Sequence, residues 1–420
     1  ISLCDKPLSP WALLEGAVRV YTLSSQMGVE AILAGHKPRV FGIPFYAGWG
    51  LSEDETPLPR RGRALTATQL FAAAMILYPH WHDPYTDQRC ELESVLGALE
   101  AMARAWREDH QGWVGESMRL WKRKPLQGFF GQQRPMLFEN DPQRAATRAN
   151  TLGRRHMVWA GKAHSPEPLC LEDGFLRSRG LGAALVPPLS LVLDDLGIYY
   201  DPTRPSRLEQ LIASSTALRS DAIERAERLI ERLLADGLSK YNLGGSLPEL
   251  PAGRRILVPG QVEDDASILR GSPQIQRNEA LLAHVRERNP DAVVIWKPHP
   301  DVVAGLRTGA VAVPERWADA CVEGADIGAL LGVVDEVWTM TSLTGFEALL
   351  RGLSVTTLGA PFYAGWGLTR DLGPVPERRL GGPRPSLAGL VHATLITYPR
   401  YRDPVTGLPC PVETAVARLA

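Results

Sequence analysis

At 420 residues, with 45% apolar and 22% charged side chains, the chain is core-forming material long enough for two or three domains, which excludes a disordered or fibrous protein. A formal net charge of −1 gives no reason to expect nucleic acid as a partner, and no apolar run approaches the length that crosses a bilayer. Five cysteines (Cys4, Cys90, Cys170, Cys321 and Cys410) are odd in number and lack metal spacing, which fits reduced thiols in a cytoplasmic protein without a metal. The N-terminus shows no signal-peptide pattern, yet it begins in mid-pattern at Ile1 without Met, so an upstream signal or domain stays open.

The first 104 residues contain text that returns later. Val20-Tyr-Thr-Leu-Ser-Ser-Gln-Met-Gly-Val-Glu-Ala-Ile-Leu-Ala-Gly35 answers to Val337-Trp-Thr-Met-Thr-Ser-Leu-Thr-Gly-Phe-Glu-Ala-Leu-Leu-Arg-Gly352. Pro44-Phe-Tyr-Ala-Gly-Trp-Gly-Leu51 answers to Pro361–Leu368, an offset of 317, and Tyr78–Pro84 to Tyr398–Pro404, an offset of 320. Repeats this far apart are whole modules, because solenoid units recur at roughly 20–50 residues. Residues 1–104 therefore read as the second half of a module whose first half is missing. Within the repeat, β-rich residues run into a polar turn and then a helix. Hydroxyls and N–H groups at a helix N-terminus bind phosphate, and Glu347 lies one turn in, within reach of ribose hydroxyls; an ordinary Ser/Thr cap is the alternative.

Residues 105–134 read as a helical, basic linker, with Arg119, Lys122, Arg123 and Lys124 among aromatic residues. An interdomain connector is the favoured reading, a membrane-surface foot the other. From 135 to 250 a Rossmann-like domain is expected: a strand near 136–138, a helix opened by Asp141-Pro142, strands at 156–160 and from Leu169, and another over 191–200. The apolar run from Leu169 ends in Glu172-Asp173-Gly174, at a strand's carboxyl end, where open α/β sheets bind ligands. A second such domain spans 251–420. Its first strand ends in Gln261-Val-Glu-Asp264-Asp265-Ala-Ser267, its next in Lys297-Pro-His299-Pro300, and the repeated strand in Thr341-Ser342. Strands alternating with helices predict a parallel α/β fold, with two domains facing a cleft.

Pro298 and Pro300 stop a strand and fix the direction of His299. Lys297 and His299 together can donate to one phosphate, although a surface turn with an incidental His is the alternative. No Gly-x-Gly-x-x-Gly or Walker loop is present, which argues against dinucleotides and ATP hydrolysis. The set points to sugar transfer from a nucleoside-monophosphate donor. Pro361-Phe-Tyr-Ala-Gly-Trp-Gly has two readings: Tyr363 or Trp366 stacks on sugar or base, or the motif is a packed aromatic corner.

The motifs Glu-Asp-Gly, His-Pro and Thr-Ser resemble those of bacterial transferases that use CMP-activated ulosonic acids, sialyltransferases included. The fuller text is similar to the KpsC-type capsule polysaccharide proteins, dual-module retaining β-Kdo transferases. It rests on Glu172-Asp-Gly-Phe-Leu-Arg-Ser, Gln261-x-x-x-Asp265-x-Ser267, Lys297-Pro-His-Pro300, Thr341-Ser-x-x-Gly-x-Glu347 and Pro361–Thr369. The resemblance implies a GT-B-like fold preceded by a partial copy of a second module. It also implies CMP-β-Kdo as donor, a Kdo-terminated glycolipid as acceptor, no metal cofactor, and residence in the cytoplasm, peripheral to the inner membrane and near other capsule assembly proteins.

Carried over residue by residue, the resemblance implies Asp265 as nucleophile, with Asp264 its rival, and Glu172 as acid/base group. His299, Lys297 and Ser342 would hold the phosphate, in a donor site shared with Thr341, Thr344 and Gln261, with Glu347 on the ribose. Arg177 and Arg179 are candidates for a substrate carboxylate, or else solvated arginines. The 1–104 copy lacks counterparts of Glu172, Asp265 and His299 and is expected to be inactive, while the order of modules associates 135–420 with the β-2,7 linkage. A sialyl-type transferase and a non-catalytic glycan-binding scaffold are the competing readings.

Overall fold

A computed structural model describes residues 3–4, 8–163, 168–178, 186–239, 247–382 and 384–420, which form two compact units, Ile1–Leu96 and Gly97–Ala420. In the first unit, three short parallel strands, β1 (Tyr21–Thr22), β2 (Arg39–Val40) and β3 (Glu53–Asp54), form a small sheet. Val29 and Ile32 of the helix Met27–Leu33 pack on Val40, Tyr46 and Leu70. A capping box at Thr66 and Gln69 opens the helix Ala67–Phe71, which continues as a π-helix over Ala72–Leu77. The hairpin β4 (Trp81–Asp83) and β5 (Gln88–Cys90) follows.

The second unit holds two sheets. The first is built from β6 (Trp113–Glu116), β7 (Leu137–Glu139), β8 (Arg155–Trp159), β9 (Leu169–Asp173) and β10 (Ser190–Asp194). The second contains β11 (Arg255–Pro259), β12 (Val293–Lys297), β13 (Ala320–Cys321), β14 (Glu336–Thr339), β15 (Ser354–Thr357) and β16 (Arg370–Asp371). The chain then returns to the first sheet with β17 (Pro399–Arg402) and β18 (Pro409–Cys410), giving the order β18-β17-β10-β9-β8-β6-β7. Trp113, Met157, Leu171 and Leu191 of this sheet cluster with Leu126, Phe129 and Phe130 of the helix Leu120–Phe130. In the second sheet Ile256, Val258, Val294, Trp296 and Trp338 pack on Leu281, Leu282 and Val285 of the helix Asn278–Arg288.

Three expectations are corrected. Residues 105–134 are not a linker: they contain β6, paired on both sides, and the helix that covers it. Trp-Val-Gly-Glu is only four residues long and contains a Gly, so its strand signal is lost between two helices. The division expected after 104 falls after Leu96, and the stretch expected as one domain over 251–420 gives its end to the first sheet, which β17 and β18 rejoin. Arg400 fixes that return through a buried ion pair to Asp109. Finally, the sheets are not parallel throughout. The second is, but β9, β10, β17 and β18 pair antiparallel, and an apolar strand reads the same in either direction. The strand expected over 191–200 ends at Asp194.

The second sheet runs β13-β12-β11-β14-β15-β16, so its order reverses between β11 and β14. At such a switch point the loops leaving two neighbouring strands diverge and open a crevice at their carboxyl ends.

Candidate active site

That crevice is occupied by a cavity of about 480 Å³, whose walls come from the carboxyl ends of β9, β11, β12 and β14. Gly260 lets the first two loops of the second sheet meet. A Cβ there would stand 2.8 Å from the Trp296 ring and 3.0 Å from the His299 amide nitrogen. Gln261 then joins the loops after β11 and β14. Its Oε1 accepts from the Thr341 amide (3.0 Å) and the Thr339 hydroxyl (3.1 Å), and its Nε2 donates to the Thr341 hydroxyl at 3.0 Å. With its amide group so engaged and the residue buried, Gln261 acts as a clasp.

Asp265 caps the short helix Ala266–Gly271. Its Oδ1 accepts from the Ser267 amide (2.9 Å) and hydroxyl (2.7 Å), while no described residue donates to Oδ2. Asp264 points elsewhere. Arg307 and Thr308 both donate to it and hold its carboxyl below the usual range, and it does not line the cavity. His299 Nδ1 accepts from the Asp301 amide at 3.2 Å, which places the proton of the neutral ring on Nε2. Burial lowers the pKa of the neighbouring Lys297 amine, opposed by the charge of Asp326, and the amine donates to the Glu323 carbonyl. Ser342 caps the helix Leu343–Leu350, with its hydroxyl accepting from the Thr344 amide at 3.2 Å. Thr341, Thr344 and the buried Glu347 line the same wall.

From the first sheet come Glu172 and Asp173 at the end of β9. The Tyr199 ring packs 4.7 Å from Phe175, between that edge and Phe362. Burial, reinforced by the charge of Glu172, holds the Tyr199 and Tyr200 phenols well above their usual range, so both stay protonated donors. One cavity thus collects Glu172, Gln261, Asp265, Lys297, His299, Thr341, Ser342, Thr344 and Glu347. Arg177 is not among them. It is 3% exposed, with Nε donating to Asp173 at 2.9 Å and Nη1 to the Ser178 hydroxyl, so it is neither solvated nor turned to the cavity. Arg179 lies outside the described residues. Tyr199, Phe362, Arg307 and Asp326 line the cavity without having been foreseen. The Tyr199-Tyr200 pair carried a signal, as aromatic residues following an apolar strand, and Phe362 stands in the repeated Pro-Phe-Tyr-Ala-Gly-Trp-Gly motif.

Pro361–Gly367 is the packed corner of the two readings. Tyr363 and Trp366 are buried and only Pro361 and Phe362 reach the cavity. The Tyr363 hydroxyl donates to the Ser342 carbonyl, Trp366 Nε1 to the Phe362 carbonyl at 2.8 Å, and Arg379 to the Pro361 carbonyl at 2.8 Å. The corner therefore acts on the site by fixing Ser342.

A second cavity of about 430 Å³ lies along β17 and the helix Arg207–Ser214. Its arginines are committed: Arg104 to Glu108, Arg155 to the Glu108 carbonyl, Arg400 to Asp109, Arg207 to Asp195 and Arg225 to Glu413, which makes it a structural seam. Among the described residues no cluster of His, Cys, Asp and Glu is arranged to hold a metal ion, and no helix is long and apolar enough to cross a membrane.

A family model described as capsule polysaccharide biosynthesis protein matches residues 5–81, 150–250 and 245–401. The capsule polysaccharide modification protein LipA of Neisseria meningitidis serogroup A is 43% identical over 435 residues, an alignment that covers 99% of this chain and 61% of that relative. The chain thus spans less than two thirds of the relative's length. Among solved structures, the β-Kdo 2,7 transferase of Thermosulfurimonas dismutans KpsC matches with a TM-score of 0.61 and 35% identity, over 73% of this chain and 98% of that one. The β-Kdo 2,4 transferase of the same protein matches with a TM-score of 0.61 and 32% identity, over 73% and 97%. With two Rossmann-like sheets on one cleft and a KpsC-like, GT-B-like architecture, this chain belongs to the capsule polysaccharide biosynthesis protein family.

Proposed function

We propose that the unit Gly97–Ala420 is a retaining β-Kdo transferase, which moves Kdo from CMP-β-Kdo to a Kdo-terminated lipid-linked acceptor during capsule linker synthesis. The observation that carries the reading is the shared cavity, which Asp265 lines together with Glu172, His299 and Lys297. In the first step an oxygen of Asp265 bonds to the anomeric carbon of Kdo as the bond to the phosphate oxygen breaks, releasing CMP. Lys297, the Nε2–H of His299 and the Ser342 hydroxyl stabilise the charge that collects on that phosphate. In the second step an acceptor hydroxyl displaces Asp265 from the same carbon, and Glu172 takes the hydroxyl proton. Two inversions leave the configuration unchanged, as in retaining glycosidases.

Thr341 and Thr344 flank the phosphate in this scheme, and Glu347 meets the ribose. Gln261 holds the loops in register. The leaving group's charge falls to side chains and a helix N-terminus, so no metal is assigned. The β-2,7 linkage is part of this proposal, because Gly97–Ala420 follows the partial copy as the second module of the chain. The protein is placed on the cytoplasmic face of the inner membrane, where its glycolipid acceptor would be presented. The first unit keeps Ser25 and Glu30 in its copy of the segment.

Incubation with CMP-Kdo and a Kdo-terminated acceptor tests the reading, with CMP-sialic acid as a parallel arm. The expected result is CMP release with Kdo only, a β-linked product, and a covalent sugar adduct on Asp265 seen by mass spectrometry. Asp265→Ala should lower turnover by about a thousandfold or more. A D265A variant turning over at the parent rate removes the nucleophile assignment. Inertness towards every CMP donor alongside tight glycan binding makes the protein a scaffold instead.

A further inference from the structure

Lys122 sits on the helix Leu120–Phe130, with its ammonium 2.7 Å from the centroid of the Trp159 ring and 5.2 Å from that of Trp121. Trp159 ends β8 and pairs in register with Leu171 of β9, so the next two residues of β9 are Glu172 and Asp173. Gly161, two residues beyond Trp159, lines the cavity together with those two carboxylates. The charges facing the ammonium are Asp173 and Glu172 from β9, Arg177 just after it, and Arg119 at the start of its own helix. Burial is the largest influence on the amine and brings its pKa down to about 8.

Despite these neighbours, the Lys122 ammonium has no hydrogen bond or ion pair with any described residue; its contacts are the two indole rings. The carboxylate of Asp173 is taken by Arg177. A largely desolvated ammonium with three N–H donors and no acceptor among the described residues is a costly arrangement unless an anion completes it.

We propose that Lys122, seated on Trp159, holds the carboxylate of a sugar-acid acceptor and makes that carboxylate a requirement for acceptor binding. The inference rests on the transferase reading, because it takes the edge of the cavity at Glu172 to be the acceptor's side. There the carboxylate pairs with the ammonium while an acceptor hydroxyl reaches Glu172. The donor phosphate lies against Lys297 and Ser342, on the second sheet. Lys122 is thus a specificity residue, apart from the groups that break and form bonds.

The test is calorimetric binding of a Kdo methyl glycoside and of its carboxamide to the whole chain, with glycerol phosphate as a third ligand. The carboxylate form should bind about tenfold or more tightly than the amide. Lys122→Met should abolish that preference and Lys122→Arg should keep part of it. The preference in the parent protein should also fade as pH rises through about 8, because the ammonium that holds the carboxylate is lost there. This arm stands even where K122M fails to fold. Equal binding of acid and amide by the parent, or a preference undiminished in folded K122M, overturns the inference. So does a site that takes glycerol phosphate and ignores the sugar acid. A parent protein that binds the sugar acid through Lys122 yet releases no CMP from CMP-Kdo leaves this inference standing and removes the transferase reading instead.

Discussion

The two copies of the repeated segment have the same internal framework and different surroundings. In each, a tyrosine hydroxyl donates to a serine carbonyl, Tyr46 to Ser25 and Tyr363 to Ser342. In each, a Trp Nε1 donates to the carbonyl four residues back at 2.8 Å. An aspartate accepts the amide of the first motif glycine, Asp54 from Gly48 and Asp371 from Gly365. An arginine closes the corner over the proline carbonyl, Arg61 in one and Arg379 in the other. Exposure separates them. Leu23 and Tyr78 are 71% and 88% exposed, whereas their counterparts Met340 and Tyr398 are 0% and 1% exposed. Phe362 packs 4.7 Å from Phe175, while its equivalent Phe45 stays exposed. The motif therefore encodes its own corner and the Ser-capped turn, and the cavity of the second unit needs in addition the residues that β9, β11 and β12 bring to it.

The hardest blow to this comparison would come from the glycine under each tyrosine. A Cβ on Gly345 would lie 2.2 Å from the Tyr363 hydroxyl, and one on Gly28 the same 2.2 Å from that of Tyr46. Both rings are fully buried, so neither can swing aside cheaply. Gly345→Ala and Gly28→Ala should each destabilise their own unit by about 2–4 kcal/mol, seen as separate steps in thermal unfolding. Only Gly345→Ala should also lower transfer activity, because Tyr363 carries Ser342. Equal losses of activity in the two variants would show that the first copy takes part in the chemistry.

Serine to alanine sharpens the same contrast. Ser25 and Ser342 each accept the amide two residues on at 3.2 Å. Their removal should cost similar stability, about 0.5–2 kcal/mol. For Ser342→Ala the KM for CMP-Kdo should rise about tenfold or more, the worth of a hydrogen bond to a phosphate. Ser25→Ala should leave it unchanged. Alkaline pH should weaken the proposed donor site as well. Burial holds the Lys297 amine below its ordinary 10.5, so its charge is lost earlier than a free lysine's and the donor KM should climb on that side. Lys297→Arg, which stays charged, should flatten the climb.

Much of this site was legible because its residues stand where an apolar strand gives way to a turn. Glu172 follows Leu169-Cys-Leu, Lys297 follows Val-Val-Ile-Trp, and Thr341-Ser342 follows Val-Trp-Thr-Met; a strand's end is readable from its own text. What escaped is set by tertiary placement. Arg177 reads as available in the sequence, but in the fold the carboxylate of Asp173 takes its guanidinium at 2.9 Å. Arg307 and Asp326 reach the cavity from loops with no periodic signal. β6 was hidden because four residues with a central Gly carry too little pattern, and strand direction leaves no trace in alternation.

The mildest test concerns the tyrosine that follows each π-helix. Tyr398 sends its hydroxyl to Asp194 Oδ2 at 2.8 Å, in a buried contact between the end of the π-helix His392–Thr397 and β10. Asp194 Oδ1 also accepts the Leu196 and Gly197 amides, so removing the hydroxyl leaves the carboxylate well supplied. Tyr398→Phe should therefore cost only the net value of one buried hydrogen bond to a charged group, about 1–2 kcal/mol in chemical denaturation. Tyr78, at the matching place after Ala72–Leu77, is exposed, and Tyr78→Phe should stay within about 0.5 kcal/mol of the parent. A Tyr78→Phe cost as large as that of Tyr398→Phe would mean that the first copy's tyrosine is engaged in solution as its twin is, and the difference in surroundings would lose its force.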